Sequence, residues 1–169
     1  MRKDNRGMSL IEVVIVVAII AVVGAVMTVG LSSFLSKPAE ECASKLSTAL
    51  KAARVSTMGK QSVVLKLYQK DGYIYLREEI TTVGCATESK DIIIGEKGVE
   101  VTYATSDGTS NIALGDAAAP LVFQFNRPTG GLKPLPVSPS KYCEEVVVKK
   151  GARVMKVKIA YLTGKISLE

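Results

Sequence analysis

Two periodicities divide this chain. From Val13 to Ser36 no side chain is charged, and about 24 residues at roughly 1.5 Å each make an apolar helix of about 36 Å, long enough for a hydrocarbon layer of about 30 Å. Lys37-Pro38-Ala39-Glu40-Glu41 then reads as a helix restart, with Pro suited to a first turn and two acids suited to its positive end. Whether the helix kinks or breaks there stays open at this level. Further on, Cys42, Leu46, Ala49, Leu50, Ala53 and Thr57 recur at steps of three and four, with Lys45, Lys51 and Arg54 directed elsewhere. That stripe predicts an amphipathic helix lying on a folded domain and ending at Gly59.

After Gly59 the period shifts toward two. Ser62 to Tyr68 and Gly72 to Arg77 read as strands joined by Gln69-Lys70-Asp71-Gly72, where Asp-Gly tolerates the positive φ of a tight turn. Further strands are expected at Asp91 to Ile94, Val99 to Thr105, Leu121 to Phe125, Glu144 to Lys149, Val154 to Tyr161 and Lys165 to Leu168. Leu162-Thr163-Gly164-Lys165 should close the last two into a hairpin, and the Pro- and Gly-rich stretch from Arg127 to Pro139 should be an irregular loop. The pattern predicts an α+β chain: a long N-terminal helix followed by one mostly antiparallel β domain, small enough for a single core.

Charge sharpens the N-terminal picture. The net charge of +6 includes +2 from Arg2, Lys3 and Arg6 against Asp4, a cationic start that favours a cytoplasmic N-terminus for a retained apolar helix. Glu12 is the one carboxylate at the front of the apolar run. Deep in lipid it would cost on the order of 2.5 to 3.5 kcal/mol without a partner. A cut after Gly7 would create an ammonium on Met8, one helical turn before Glu12, so each subunit would carry both halves of an intermolecular pair.

The string Arg6-Gly7-Met8-Ser9-Leu10-Ile11-Glu12-Val13-Val14 resembles the processing site of type IV prepilins and type II secretion pseudopilins. The resemblance implies that Gly7 precedes the cut and that Met8, where the family usually has Phe, becomes the N-methylated mature N-terminus. Glu12 is then the fifth-position glutamate that pairs with a neighbouring subunit's N-terminus. An ordinary secretory signal is cut after its apolar core, whereas this glycine lies before it.

The division that follows is 1–7 as cleaved leader, 8–36 as transmembrane and filament-core helix, 37–58 as the amphipathic half and 59–169 as the β domain. The implied partners are a prepilin peptidase, other pilin or pseudopilin subunits, an assembly-platform membrane protein with its ATPase, and membrane lipid. The implied place is the cytoplasmic membrane as a single pass with an extracytoplasmic C-terminal domain, then a pseudopilus or pilus. No cofactor or catalysis is implied.

A second resemblance covers the order of elements beyond the apolar run. Leu50-Lys51-Ala52-Ala53-Arg54-Val55, Val63-Val64-Leu65, Phe123-Gln124-Phe125 with Gly130-Gly131, and Thr163-Gly164-Lys165-Ile166 are similar to the H-type minor pseudopilins and the related T-type minor pilins. T-type relatives bind DNA in natural transformation. Lys149, Lys150, Arg153, Lys156, Lys158 and Lys165 are therefore candidate phosphate contacts, against a solvated strand face as the favoured reading. The aromatic platform that would help hold a single strand is thin there, with Tyr161 alone nearby.

The remaining chemistry is sparse. With no histidine, Ser-His-Asp and Cys-His catalysis are excluded. Cys42, Cys85 and Cys143 are too far apart for a zinc motif, and an oxidising compartment permits one disulfide among them or none. Ser138-Pro139-Ser140-Lys141 has the serine and lysine spacing of penicillin-recognising enzymes but sits in a proline-rich loop, so it reads as a turn. Ser106 to Asn111 offers oxygens for calcium, yet only one carboxylate, so a polar turn is preferred and no metal is expected.

Overall fold

The structure is a computed structural model that describes residues 10–59, 61–82 and 86–169, with the backbone alone for residues 23–36. Gly7, Met8 and Cys85 lie outside the described residues. The helix α1 runs Leu10–Met58 and continues through Pro38. Proline there removes one backbone donor without ending the helix, so the restart read from Lys37 to Glu41 is a continuation. The chain divides into two compact units, with the boundary between Leu35 and Ser36.

The second unit holds the amphipathic end of α1 and nine strands among the described residues: β1 (Ser62–Lys70), β2 (Tyr73–Thr81), β3 (Glu88–Gly95), β4 (Glu100–Thr105), β5 (Ile112–Ala113), β6 (Leu121–Gln124), β7 (Cys143–Lys150), β8 (Arg153–Ala160) and β9 (Lys165–Leu168). They form two antiparallel sheets, in the orders β3-β2-β1-β6 and β5-β4-β7-β8-β9. The sequence predicted eight of these strands but not the division into two sheets. Alternation fixes which face of a strand is buried, whereas the partner of an edge such as β6 is chosen by the tertiary fold, which pairs it with the distant β1.

Local chemistry explains the turns. Asp71 (φ 53°) and Gly72 (φ 80°) occupy the two central positions between the paired Lys70 and Tyr73, the geometry a two-residue hairpin requires to match strand twist. A second tight hairpin, unread in the sequence, joins β7 to β8 through Gly151 and Ala152. In the Arg127 to Pro139 loop the isolated bridge Phe125 to Leu132 ties an otherwise irregular path to the domain, and the bridge Leu135 to Ser138 closes a turn within it.

The core forms where α1 meets the inner faces of both sheets. Ala39, Cys42, Ala43, Leu46, Leu50 and Ala53 are buried from the helix, with Val63, Leu65, Leu67, Ile74, Leu76 and Phe123 from the first sheet and Val146, Val148, Val157 and Ile159 from the second. Burying one of the Val, Leu, Ile or Phe side chains contributes about 1.5–3 kcal/mol. The helix stripe is therefore the one the periodicity predicts, with Ala49 at its partly buried margin.

Candidate functional site

The N-terminal end of α1 is apolar on every side. Glu12 lies in its first described turn, and around it Leu10, Ile11, Val13, Val14, Val17 and Ile20 are all exposed, Leu10 to 84%. A helix that is hydrophobic all round is stable only when lipid or other apolar helices cover it. A carboxylate placed near the positive end of a helix is electrostatically favoured. Among the described residues no helix is long and apolar enough to cross a membrane. The described side chains of the run stop at Val22, whereas the sequence-predicted span extends to Ser36.

The far end of α1 is bound into the β domain by a contact the stripe did not foresee. Arg54, expected to point away, turns its Nε onto the carbonyl of Gly130 at 3.1 Å. The β8–β9 turn closes on the same place, since a Cβ on Gly164 would lie 1.8 Å from Gly130 O and 2.9 Å from Arg54 Nε. The amide of Leu132 donates to Tyr161 O at 2.7 Å. Three segments far apart in the chain thus converge at one end of the domain.

Three of the six basic residues that the sequence groups near the C-terminus are matched by acids, and among the described residues no ion pair reaches Lys149, Lys150 or Lys165. Arg153 lies 3.8 Å from Glu40, Lys156 3.1 Å from Glu145, and Lys158 2.6 Å from Glu169. The Glu169 carboxylate holds the Lys158 proton more tightly than usual, so its pKa is raised. Lys156 and Lys158 do share the outer face of β8, opposite Val147 and Glu145. The Tyr161 ring is stacked on Tyr142 with centroids 4.5 Å apart, so one ring face is already occupied.

On the outer face of the first sheet Tyr68 stacks on Tyr75 at 5.6 Å and carries Arg77 over its ring at 5.5 Å. Arg77 also grips Asp91 through two bonds of 2.6 and 2.9 Å. The guanidinium lowers the Asp91 pKa, while burial, more than any other effect, raises that of Tyr68. This is a cross-strand ladder whose rings and charges are engaged with one another.

The other sequence candidates resolve locally. Asp107 accepts from the Thr105 hydroxyl, from the Thr109 amide at 3.2 Å and from the Thr109 hydroxyl at 3.0 Å, and it pairs with Lys141. Lys141 and Thr105 hold its carboxyl well below the usual range. Both oxygens are used inside the loop, as a polar turn requires. Ser138 accepts the Lys141 amide at 2.9 Å, which makes Ser138 to Lys141 a turn rather than a helical pair. Cys42 and Cys143 are free, buried thiols, and burial pushes the pKa of each up to about 12. Among the described residues no group of three or more Cys, Asp or Glu could hold a metal ion.

The chain is therefore an α+β fold whose helix exposes apolar side chains on every side from Leu10 to Val22, consistent with a pilin fold. Residues 2–28 match the family described as the prokaryotic N-terminal methylation motif. That motif supports a type IV pilin-like or pseudopilin-like subunit, structural rather than enzymatic and membrane-anchored. It implies processing by a prepilin peptidase and assembly with other pilin subunits. No curated protein and no solved structure matches the chain.

Proposed function

We propose that this chain is a minor pseudopilin, a subunit of a type II secretion pseudopilus or a type IV pilus. It enters the cytoplasmic membrane as a prepilin, is cut after Gly7 and N-methylated at Met8, and waits there as a single pass through residues 8–36. A separate ATPase and platform protein then draw it into a helical filament. The observation that carries this reading is Glu12 in the first turn of a helix that matches the methylation motif and is exposed and apolar on every side.

The energetics agree. An all-apolar helix leaves lipid only for another apolar surroundings, which packed copies of similar helices provide. Within that bundle the Glu12 carboxylate meets the Met8 ammonium of a neighbour and sets the axial register, since a buried ion pair aligns better than it stabilises. The minor-pseudopilin assignment rests on the order of elements and on the short motifs around Arg54, Gly130 and Gly164. The matched cations on β8 weigh against a DNA-binding minor pilin.

The test is the intact mass and first residue of the protein taken from its native envelope. A chain that begins at N-methylated Met8 is expected. A chain that keeps residues 1–7, or that begins beyond Ser36, overturns the proposal.

A further inference from the structure

We infer that the end of the domain where α1 finishes docks on an anionic lipid headgroup surface. This surface is separate from the apolar half of α1 and does not depend on the filament reading.

Three segments build it: the last turns of α1, the loop through Gly130 and Gly131, and the β8–β9 turn. They are locked together by the Arg54 to Gly130 and Leu132 to Tyr161 hydrogen bonds. Residues 51–59, 126–133 and 160–165 contain no Asp or Glu, and among their cations are Lys51, Arg54, Lys133 and Lys165. Among the described residues no ion pair reaches any of these four. Elsewhere on the domain Lys66, Arg77, Lys141, Lys156 and Lys158 each have an acid within reach, and the unpaired Lys90, Lys149 and Lys150 stand on strands that also carry Asp or Glu, so the α1 end is distinguished by having no acid in its own segments.

The same end exposes aliphatic side chains. Leu162 is 74% exposed, Val55 69% and Met58 48%, and Met58 Sδ and Arg54 both lie about 3.0 Å from where a Gly130 Cβ would stand. Protruding aliphatics set among unmatched cations suit an interface that offers both negative charge and grease, and a headgroup layer offers both. Nucleic acid offers the charge without the grease and is held best by free aromatic faces, whereas Tyr161 is stacked on Tyr142. On the sheet side, Leu162 and Lys165 border an open groove that also holds Glu144 and Glu145. The contact therefore belongs to the α1 side, where Lys51, Val55 and Met58 stand.

The experiment uses the full chain in phosphatidylcholine nanodiscs, presented with dye-labelled vesicles of phosphatidylcholine with or without phosphatidylglycerol. Capture of the phosphatidylglycerol vesicles alone, weakening as salt rises, is expected. Each unit of charge near an anionic surface changes affinity about fivefold, so Lys51→Glu, which removes one positive charge and adds one negative, should reduce capture roughly twentyfold. Val55→Asp, on the exposed face of α1, should also reduce it, with the thermal midpoint of each variant unchanged. Equal capture of neutral vesicles, or full capture by the charge-reversed variant, overturns the inference. So does a wild-type chain that shifts an oligonucleotide but captures no vesicle. The outcome is independent of leader cleavage, which is read by mass.

Discussion

Arg54 and Gly130, 76 positions apart in the chain, meet through a single hydrogen bond of 3.1 Å from the guanidinium Nε to the main-chain carbonyl. This bond joins the last turns of α1 to the loop after β6, and Gly164 of the β8–β9 turn fits against both partners. The end of the domain is thus built from three separate pieces of sequence held by main-chain contacts that tolerate almost no added volume.

That fit sets up a comparison between two glycines with left-handed backbones. Gly164 (φ 67°) has Gly130 O 1.8 Å from where a Cβ would be, while Gly151 (φ 59°) has nothing within 4 Å. Gly151→Ala should cost about 1 kcal/mol, the ordinary penalty for a left-handed alanine. Gly164→Ala adds a clash with backbone and should cost about 3 kcal/mol or more. Urea midpoints of the two variants check the difference; equal costs would remove the close approach as an explanation.

Thr57 is buried in the last turn of α1, and its Oγ1 has no hydrogen-bond partner among the described residues. A buried hydroxyl without a partner costs about 1–3 kcal/mol on mutational evidence. Thr57→Val keeps the shape and removes the orphan oxygen, so the variant should unfold at a higher temperature than the parent. A fall in the thermal midpoint would mean that the hydroxyl does have a partner in solution.

Asp107 predicts a pH dependence. Lys141 and Thr105 depress its folded pKa below the ordinary aspartate range, so its stabilisation is complete above the unfolded carboxylate pKa and is lost as pH falls through the folded one. The window is therefore acidic, below about pH 4. Asp107→Asn should be less stable than the parent at pH 7, and the gap should narrow as the pH is lowered through that window. Denaturant midpoints at several pH values measure it, and a gap that widens in acid would contradict the sign.

Glu12 separates processing from assembly. Under the proposed function, Glu12→Ala or Glu12→Val leaves membrane insertion and cleavage after Gly7 intact but lowers incorporation into the filament. Fractionation of sheared filaments against membranes, with the N-terminal mass taken in parallel, reads both steps. Normal incorporation of the variants would refute the pairing role.

The sequence by itself determined the long helix, the stripe from Cys42 to Thr57, the Asp71-Gly72 turn and all but the shortest of the strands. Each of these rests on a period or a turn residue whose physics is local. It also placed Glu12 and the methylation motif, because that signal is one contiguous run. Only the tertiary structure decided that the strands form two sheets, that α1 runs on through Pro38, and that Arg54 turns inward to Gly130. Only there do acids reach Arg153, Lys156 and Lys158, while Lys51, Arg54 and Lys165 stand at an end whose three segments carry no acid. Charge neutralisation and close packing depend on which distant residues become neighbours, and that is fixed by burying one core between a helix and two sheets.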